Sequence, residues 1–336
     1  MIRHLLAGTT LVALGMAALA EIPPEDLPQE AVEIEEVLVT GEQPGPGLWK
    51  VTHPGAGNEH VLWILGTYGP LPKKMRWRST ELEETLAASQ EVIAPPSMRA
   101  DVGGPLGGIT LLPSLIGLRK NPNGERLQEV LPPDLYARWL PLKQRYLGGD
   151  DDAEKWRPIF AAGELYVKAL GKSGLEPSRV VWPDVEKLAR KARVKITTPE
   201  VRVKVEKPRA AIKDFKQAPL SDIECFAKTI ERLETDLELM RVRANAWATG
   251  DVARLRELAP VDNASACISV VMNAQLMQDR GYTDWPGQLA EAWVEAAESA
   301  LGQNASTVAV LSTAQILKPD GYVARLRAKG YLVEDP

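Results

Sequence analysis

Strand-like runs stand near both ends of this chain, and a mostly helical stretch lies between them. Residues 48–53 and 60–65 are rich in β-branched and aromatic side chains, and the turn-forming Pro54-Gly55-Ala56-Gly57-Asn58 joins them, a hairpin pattern. A helix signal follows at Thr80-Glu81-Leu82-Glu83, with Thr80 as cap, Glu83 answering it, and Leu82, Leu86 and Ala87 as its inner face. Glu91-Val92-Ile93-Ala94 reads as a short strand stopped by Pro95 and Pro96. Strand, strand, helix, strand is the opening of an α/β domain. The far end mirrors it. Leu289, Trp293, Ala297 and Leu301 recur every four residues as one helix face, and residues 307–311 form a buried-type strand. Asp320 caps a helix that runs to Lys329, Gly330 ends it, and Tyr331-Leu332-Val333 gives a last strand. In the middle, residues 221–249 hold a helical period through Ile223, Ala227, Ile230, Leu233, Leu237 and Met240, and the charges between 231 and 243 read as its solvated face.

The first twenty residues have a different character. Arg3 precedes an apolar run from Leu5 that closes on Ala18-Leu19-Ala20, the small-x-small pattern of a cleaved export signal. The run is broken by Gly8, Thr9, Thr10 and Gly15 and falls short of the ~20 apolar residues of a membrane-spanning helix. The expectation is cleavage after Ala20, a periplasmic or secreted mature protein, and no transmembrane segment. Residues 21–46 are acidic and proline-rich and read as a flexible linker, leaving 47–336 as one domain. Within the linker, Glu35-Glu36-Val37-Leu38-Val39-Thr40-Gly41 looks like a short segment of TonB-dependent outer-membrane receptors, or is simply a strand-like patch.

Forty basic against forty-five acidic residues give a net charge of −5, which argues against a nucleic-acid partner. Only Cys225 and Cys267 are present. An isolated pair in an oxidising compartment is more often bridged than free; the alternative is two buried thiols. No Gly-x-Ser-x-Gly motif is present, and the glycine-rich 102–108 lacks the Lys-Ser/Thr ending of a phosphate loop. Residues 103–118, rich in Gly and Leu with Pro105 and Pro113, read as a mobile apolar flap or a packed loop.

Leu48-Trp49-Lys50-Val51 with Leu62-Trp63-Ile64-Leu65-Gly66-Thr67 resembles the start of the TraB/GumN (TraB/Tiki) family. Val308-Ala309-Val310, Pro319-Asp320-Gly321 and Leu326-Arg327-Ala328-Lys329-Gly330-Tyr331 resemble its close, and Leu131-Pro132-Pro133-Asp134-Leu135-Tyr136 and Trp156-Arg157-Pro158 agree in order between them. The resemblance implies an α/β fold whose mixed sheet is formed by the N- and C-terminal segments around a largely helical middle, related to metal-dependent hydrolases. It also implies two Gly-x-x-His motifs and a strand-end glutamate, a ligand set that would hold a water-activating metal. This chain departs at each place. Gly66-Thr67-Tyr68-Gly69 has glycine in the histidine position, Ser312-Thr313-Ala314-Gln315 has glutamine, and the intervening strand ends in Ala94-Pro95-Pro96.

The expectation is therefore a catalytically degenerate relative with no catalytic residue, metal or cofactor assigned, serving a binding or envelope and polysaccharide-export role. The alternatives are a metal-dependent, peptidase-like hydrolase with a rebuilt site and an accessory protein of an outer-membrane receptor. Gly66, Thr67, Tyr68, Gly69 and Gln315 would line the ancestral cleft. Lys73, Lys74, Arg76 and Arg78 would rim it for an unidentified anionic ligand, or form an ordinary solvated loop. Trp77 reads as packing on the domain, and Tyr68 as a poor proton donor unless strongly tuned. His53 ends one strand of the expected hairpin and His60 begins the other, which could bring them near each other and makes them the only metal candidates, though such pairs are usually surface residues.

Overall fold

The computed structural model describes residues 44–53, 60–104, 107–176, 181–258, 266–270 and 284–336. The segment expected to be an export signal, its expected cleavage point, residues 35–41 and the turn expected at 54–58 lie outside the described residues.

The two ends of the chain meet in one sheet. β1 (Leu48–Thr52) and β2 (Val61–Thr67) pair antiparallel, with Val51 opposite Leu62. β9 (Ser306–Ser312) then lies parallel to β2 along its whole length, from Val61↔Ser306 to Thr67↔Ser312. β4 (Glu91–Ile93) is parallel to β9 on the other side, β7 (Lys195–Thr197) to β4, and β10 (Leu332–Glu334) closes the far edge against β1. The order β10-β1-β2-β9-β4-β7 is a mixed sheet built from both termini, as the resemblance implied. Two small ribbons accompany it. β3 (Leu71–Pro72) pairs with β6 (Leu175–Glu176), and β5 (Ser97–Asp101) runs parallel to β8 (Glu200–Lys204).

Central position explains the composition of β9. A parallel strand covered on both faces has no solvent side and reads as a continuous apolar run. Its side chains alternate between two cores. Ala309 and Leu311, with Trp49, Val51, Leu62, Ile64 and Ile93, meet α11 (Trp285–Gln303), α12 (Thr313–Leu317) and α13 (Tyr322–Ala328). Val308 and Val310, with Leu48, Leu65 and Val92, meet α1 (Thr80–Ala88), α6 (Val181–Ala192) and α9 (Leu237–Ala248). The predicted face of α11 is buried, and Trp293 at its centre is fully so. Truncating it to Ala would cost about 3–5 kcal/mol. A separate helical core joins α3 (Leu127–Val130), α4 (Pro133–Tyr146), α5 (Pro158–Lys172) and α8 (Ile223–Thr235) through Trp139, Leu165, Phe226 and Ile230.

Several local expectations need correction. The cap of α1 is Ser79, whose hydroxyl donates to Glu83 at 2.6 Å; Thr80 lies one residue inside, and Ala87 points outward. The helix expected over 221–249 breaks at Asp236 into α8 and α9, and Ile223 is exposed. The supposed solvated charges between them are partly core. Arg243 is 1% and Asp236 3% exposed, joined in an ion pair. Residues 107–115 form the helix α2 (Gly107–Leu115) rather than a loop, set beside α7 (Pro208–Gln217). The remaining helix, α10 (Val252–Glu257), is capped by Asp251, whose carboxylate accepts from the Arg254 amide.

Cys225 on α8 and Cys267 lie at disulfide-bonding distance, as their isolation in the sequence predicted. No helix among the described residues is long and apolar enough to cross a membrane.

Candidate functional site at the strand ends

In open α/β sheets, ligands bind beyond the carboxyl ends of parallel strands. Here β2, β9 and β4 are adjacent and parallel, so the residues following them share one edge. Gly69 lies two residues beyond β2, Gln315 sits in the first turn of α12 directly after β9, and Ala94-Pro95-Pro96 follows β4. The three positions that the resemblance assigns to two histidines and a glutamate are thus gathered by topology, and none carries a matching group. Glycine, alanine and proline side chains offer no donor and a glutamine amide is a weak one, so this set does not fit a divalent metal. Among the described residues no three His, Cys, Asp or Glu side chains converge as a metal site.

Gly66 shows why its motif keeps a glycine. A Cβ there would lie 2.6 Å from the Trp49 ring and 2.8 Å from Thr313 Oγ1, closer than any real packing distance. Its carbonyl accepts a 2.6 Å hydrogen bond from Trp247 Nε1 on α9. Trp247 in turn meets Trp77 with ring centroids 5.7 Å apart, so Trp77 packs on the domain as expected. Tyr68, half-buried, accepts from Arg243 Nε at 2.7 Å. Burial pushes the Tyr68 phenol up, while the Arg243 hydrogen bond and charge pull against it. The net rise keeps the proton on at neutral pH and makes Tyr68 a structural acceptor.

Arg243 is the hub of this edge. Its guanidinium also donates to the Leu258 carbonyl at 3.0 Å and to Asp236, which Arg232 approaches at 3.5 Å. Burial works to lower the Arg243 pKa, but Asp236 and Tyr68 more than offset it, so the cation is held charged. A buried charge is tolerated only when paired and hydrogen-bonded, and three acceptors around one planar fork meet that need. The side of the edge toward α9 is thereby filled with aromatic rings and a neutralised ion cluster. Sequence reasoning missed Arg243, Asp236 and Trp247. The available signal was a helical run whose charges fall on the same period as its apolar face.

On the opposite face of the sheet, behind α12, a depression of about 270 Å³ remains open, lined by Trp49, Ile316, Lys318, Arg256, Arg327 and Asp335. Each of its three cations has a carboxylate within 4 Å, Lys318 meeting Asp320 at 3.2 Å. Asp335 pairs with Arg256 at 2.5 Å and lies 3.9 Å from Arg327. Nearby, Trp49 Nε1 and Thr313 Oγ1 are buried without a hydrogen-bond partner among the described residues.

The other predicted residues divide. Thr67 ends β2 opposite Ser312, at the shared edge. Lys73, Lys74, Arg76 and Arg78 fall between β3 and α1; Lys73 donates to the Gly171 carbonyl and Arg78 to Thr80, while Lys74 and Arg76 are exposed. His60 precedes β2 whereas Gly69 follows it, and a strand of seven residues separates those ends by roughly 20 Å. His53 stacks edge-on against Tyr331 at 5.3 Å, so both histidines belong to the opposite end of the hairpin.

The sequence profile of the TraB/PrgY/gumN family matches residues 47–335, nearly all of the chain beyond the predicted linker. No curated protein and no solved structure gives a significant match. With the profile spanning both ends of the mixed sheet and all the helices between, the chain belongs to the TraB/PrgY/gumN family.

Proposed function

We propose that this chain is an exported, catalytically degenerate member of its family that works in the bacterial envelope by binding an anionic ligand. One observation carries the reading: the ends of β2, β4 and β9 converge, yet present Gly69, Ala94-Pro95-Pro96 and Gln315 where metal-binding groups would be needed. Rebuilding a metal site would require other His, Asp or Glu side chains to turn toward that edge. The titratable groups nearest Tyr68 are instead consumed by the Arg243–Asp236 pair.

The depression beside α12, lined by two arginines that share one carboxylate, supports binding as the surviving role. Arg256 and Arg327 present guanidinium groups suited to a carboxylate or phosphate, and Asp335 already fills that role from within the chain. Trp49 Nε1 and Thr313 Oγ1, buried polar atoms without a hydrogen-bond partner among the described residues, lie beside the same strand ends.

Elemental analysis of the protein purified untagged from an oxidising compartment tests the degenerate reading, paired with assays of chelator-sensitive peptide and ester hydrolysis. The expected result is substoichiometric metal and no chelator-sensitive turnover. Near-stoichiometric zinc, manganese or cobalt with such turnover would overturn it in favour of a rebuilt hydrolase. Export is tested separately by sequencing the N-terminus of the recovered protein, which should begin at Glu21.

A further inference from the structure

The parallel pair β5–β8 carries two helices that follow its strands, α2 after β5 and α7 after β8. Arg209 donates to the Thr110 carbonyl at 3.3 Å and Lys216 to the Ile116 carbonyl at 2.6 Å, so the helices run side by side in one direction. The base of this arm is fixed. Arg157, 2% exposed, donates to the carbonyls of Lys120, Phe215 and Lys216 and lies 5.1 Å over the Phe215 ring.

A helix that closed over a core would turn its apolar side inward. α2 does the reverse. Among its described residues only Leu111 is buried, while Ile109 is 63%, Leu112 59% and Leu115 41% exposed, and Ile116 just beyond is 77% exposed. Positions 109, 112 and 116 share one helical face, and Met98 on β5 adds a further exposed apolar side chain. Scattered exposed leucines are ordinary, but a contiguous bulky face is not.

The charge around that face is equally uneven. Residues 97–120 and 200–217 hold nine basic and four acidic side chains, a net of +5, in a chain whose overall charge is −5. Arg119, Lys120, Lys207, Arg209 and Lys213 are all exposed. An apolar helical face framed by cations is the pattern of a segment lying in the interfacial plane of a membrane, with its apolar side chains below the headgroups and the cations among anionic ones.

We propose that the α2 face docks on the anionic surface of a lipid bilayer. The long apolar side chains enter the headgroup boundary and the α7 cations bind lipid phosphates, with Arg157 holding the arm rigid as it does so. This surface is separate from the strand-end edge, so it would bring the binding site to a membrane without occupying it.

The test uses the full chain with Ile109→Cys as its single free thiol, labelled with an environment-sensitive fluorophore. Vesicles of phosphatidylcholine alone are compared with vesicles containing phosphatidylglycerol. The expected result is a blue shift with the anionic vesicles that weakens with salt. Leu112→Ser with Ile116→Ser should weaken apparent affinity by about tenfold or more, and Lys120→Glu with Lys213→Glu by a similar factor, given roughly fivefold per cation near such a surface. Both pairs are exposed, so folding should be retained and is checked by circular dichroism. An unshifted label on anionic vesicles overturns the proposal. So does an equal shift on neutral vesicles, or a shift that grows with protein concentration alone, which would assign the face to a second copy of the chain.

Discussion

Replacing Arg243 with Met tests whether the strand-end edge is held shut by the ion cluster. The side chain is 1% exposed and has three acceptors: Tyr68 Oη, the Leu258 carbonyl and the Asp236 carboxylate. Met keeps most of the volume, so the loss is polar rather than a cavity. Breaking a buried pair by removing one partner typically costs about 3–5 kcal/mol, because the other charge is left uncompensated. Arg232 remains 3.5 Å from Asp236 and moderates that penalty, which argues for the low end. Two further acceptors lose a donor at about 1 kcal/mol each, and these contributions overlap. The expected loss is about 4 kcal/mol by equilibrium urea unfolding at pH 7. Arg243→Lys should lie between, since an ammonium keeps the charge without the fork. Adding Asp236→Leu to Arg243→Met should recover part of the loss, because no buried carboxylate is then stranded. A cost below about 1 kcal/mol for Arg243→Met, or strictly additive losses in the double variant, would refute the reasoning.

Gly66→Ala drives a methyl group into Trp49 and Thr313 and should destabilise by about 1–3 kcal/mol, measured by the same unfolding assay; a neutral effect would mean the Trp49 ring moves freely. Glu91 is buried, and although burial alone would raise its pKa, hydrogen bonds from Thr197, Lys195 and Asn304 bring it below the ordinary carboxylate value. A lowered folded pKa gives stability that is full above about pH 4.3 and lost as pH falls through the folded value. Glu91→Gln should therefore flatten the acid limb of a stability–pH curve and lower stability at neutral pH; an unchanged acid limb would remove Glu91 from the cause. Reducing the bond between Cys225 and Cys267, 42 residues apart, should lower stability by about 4 kcal/mol on the chain-entropy account. An unfolding midpoint indifferent to reductant would show that these thiols are free in solution.

Local patterns carried much of this molecule into the sequence. Strand runs at both ends, the buried face Leu289–Trp293–Ala297–Leu301, and glycine at position 330 follow from side-chain periodicity and backbone freedom within a few residues. That glycine, proline and glutamine stand where the resemblance would place metal ligands was also legible, because a glycine or proline is chemically unambiguous wherever it lies. Family likeness supplied the pairing of the two ends, which periodicity cannot give, since β2 and β9 are separated by almost the whole domain.

Tertiary structure alone decided which charges are interior. On a helical wheel Asp236 and Arg243 fall beside Leu233 and Met240, yet their charge alone reads as solvated; they are buried because α9 lies against the end of β2, where Tyr68 and the Leu258 carbonyl complete the hydrogen bonding. It likewise decided that the apolar run after Gly103 forms a helix with its bulky side outward. A run of leucines and isoleucines specifies burial only when a neighbour exists to cover it. α7 covers one side of α2 and leaves the face of Ile109, Leu112 and Ile116 exposed. Composition sets what each segment can bury, while the packing of distant segments sets what is buried in fact.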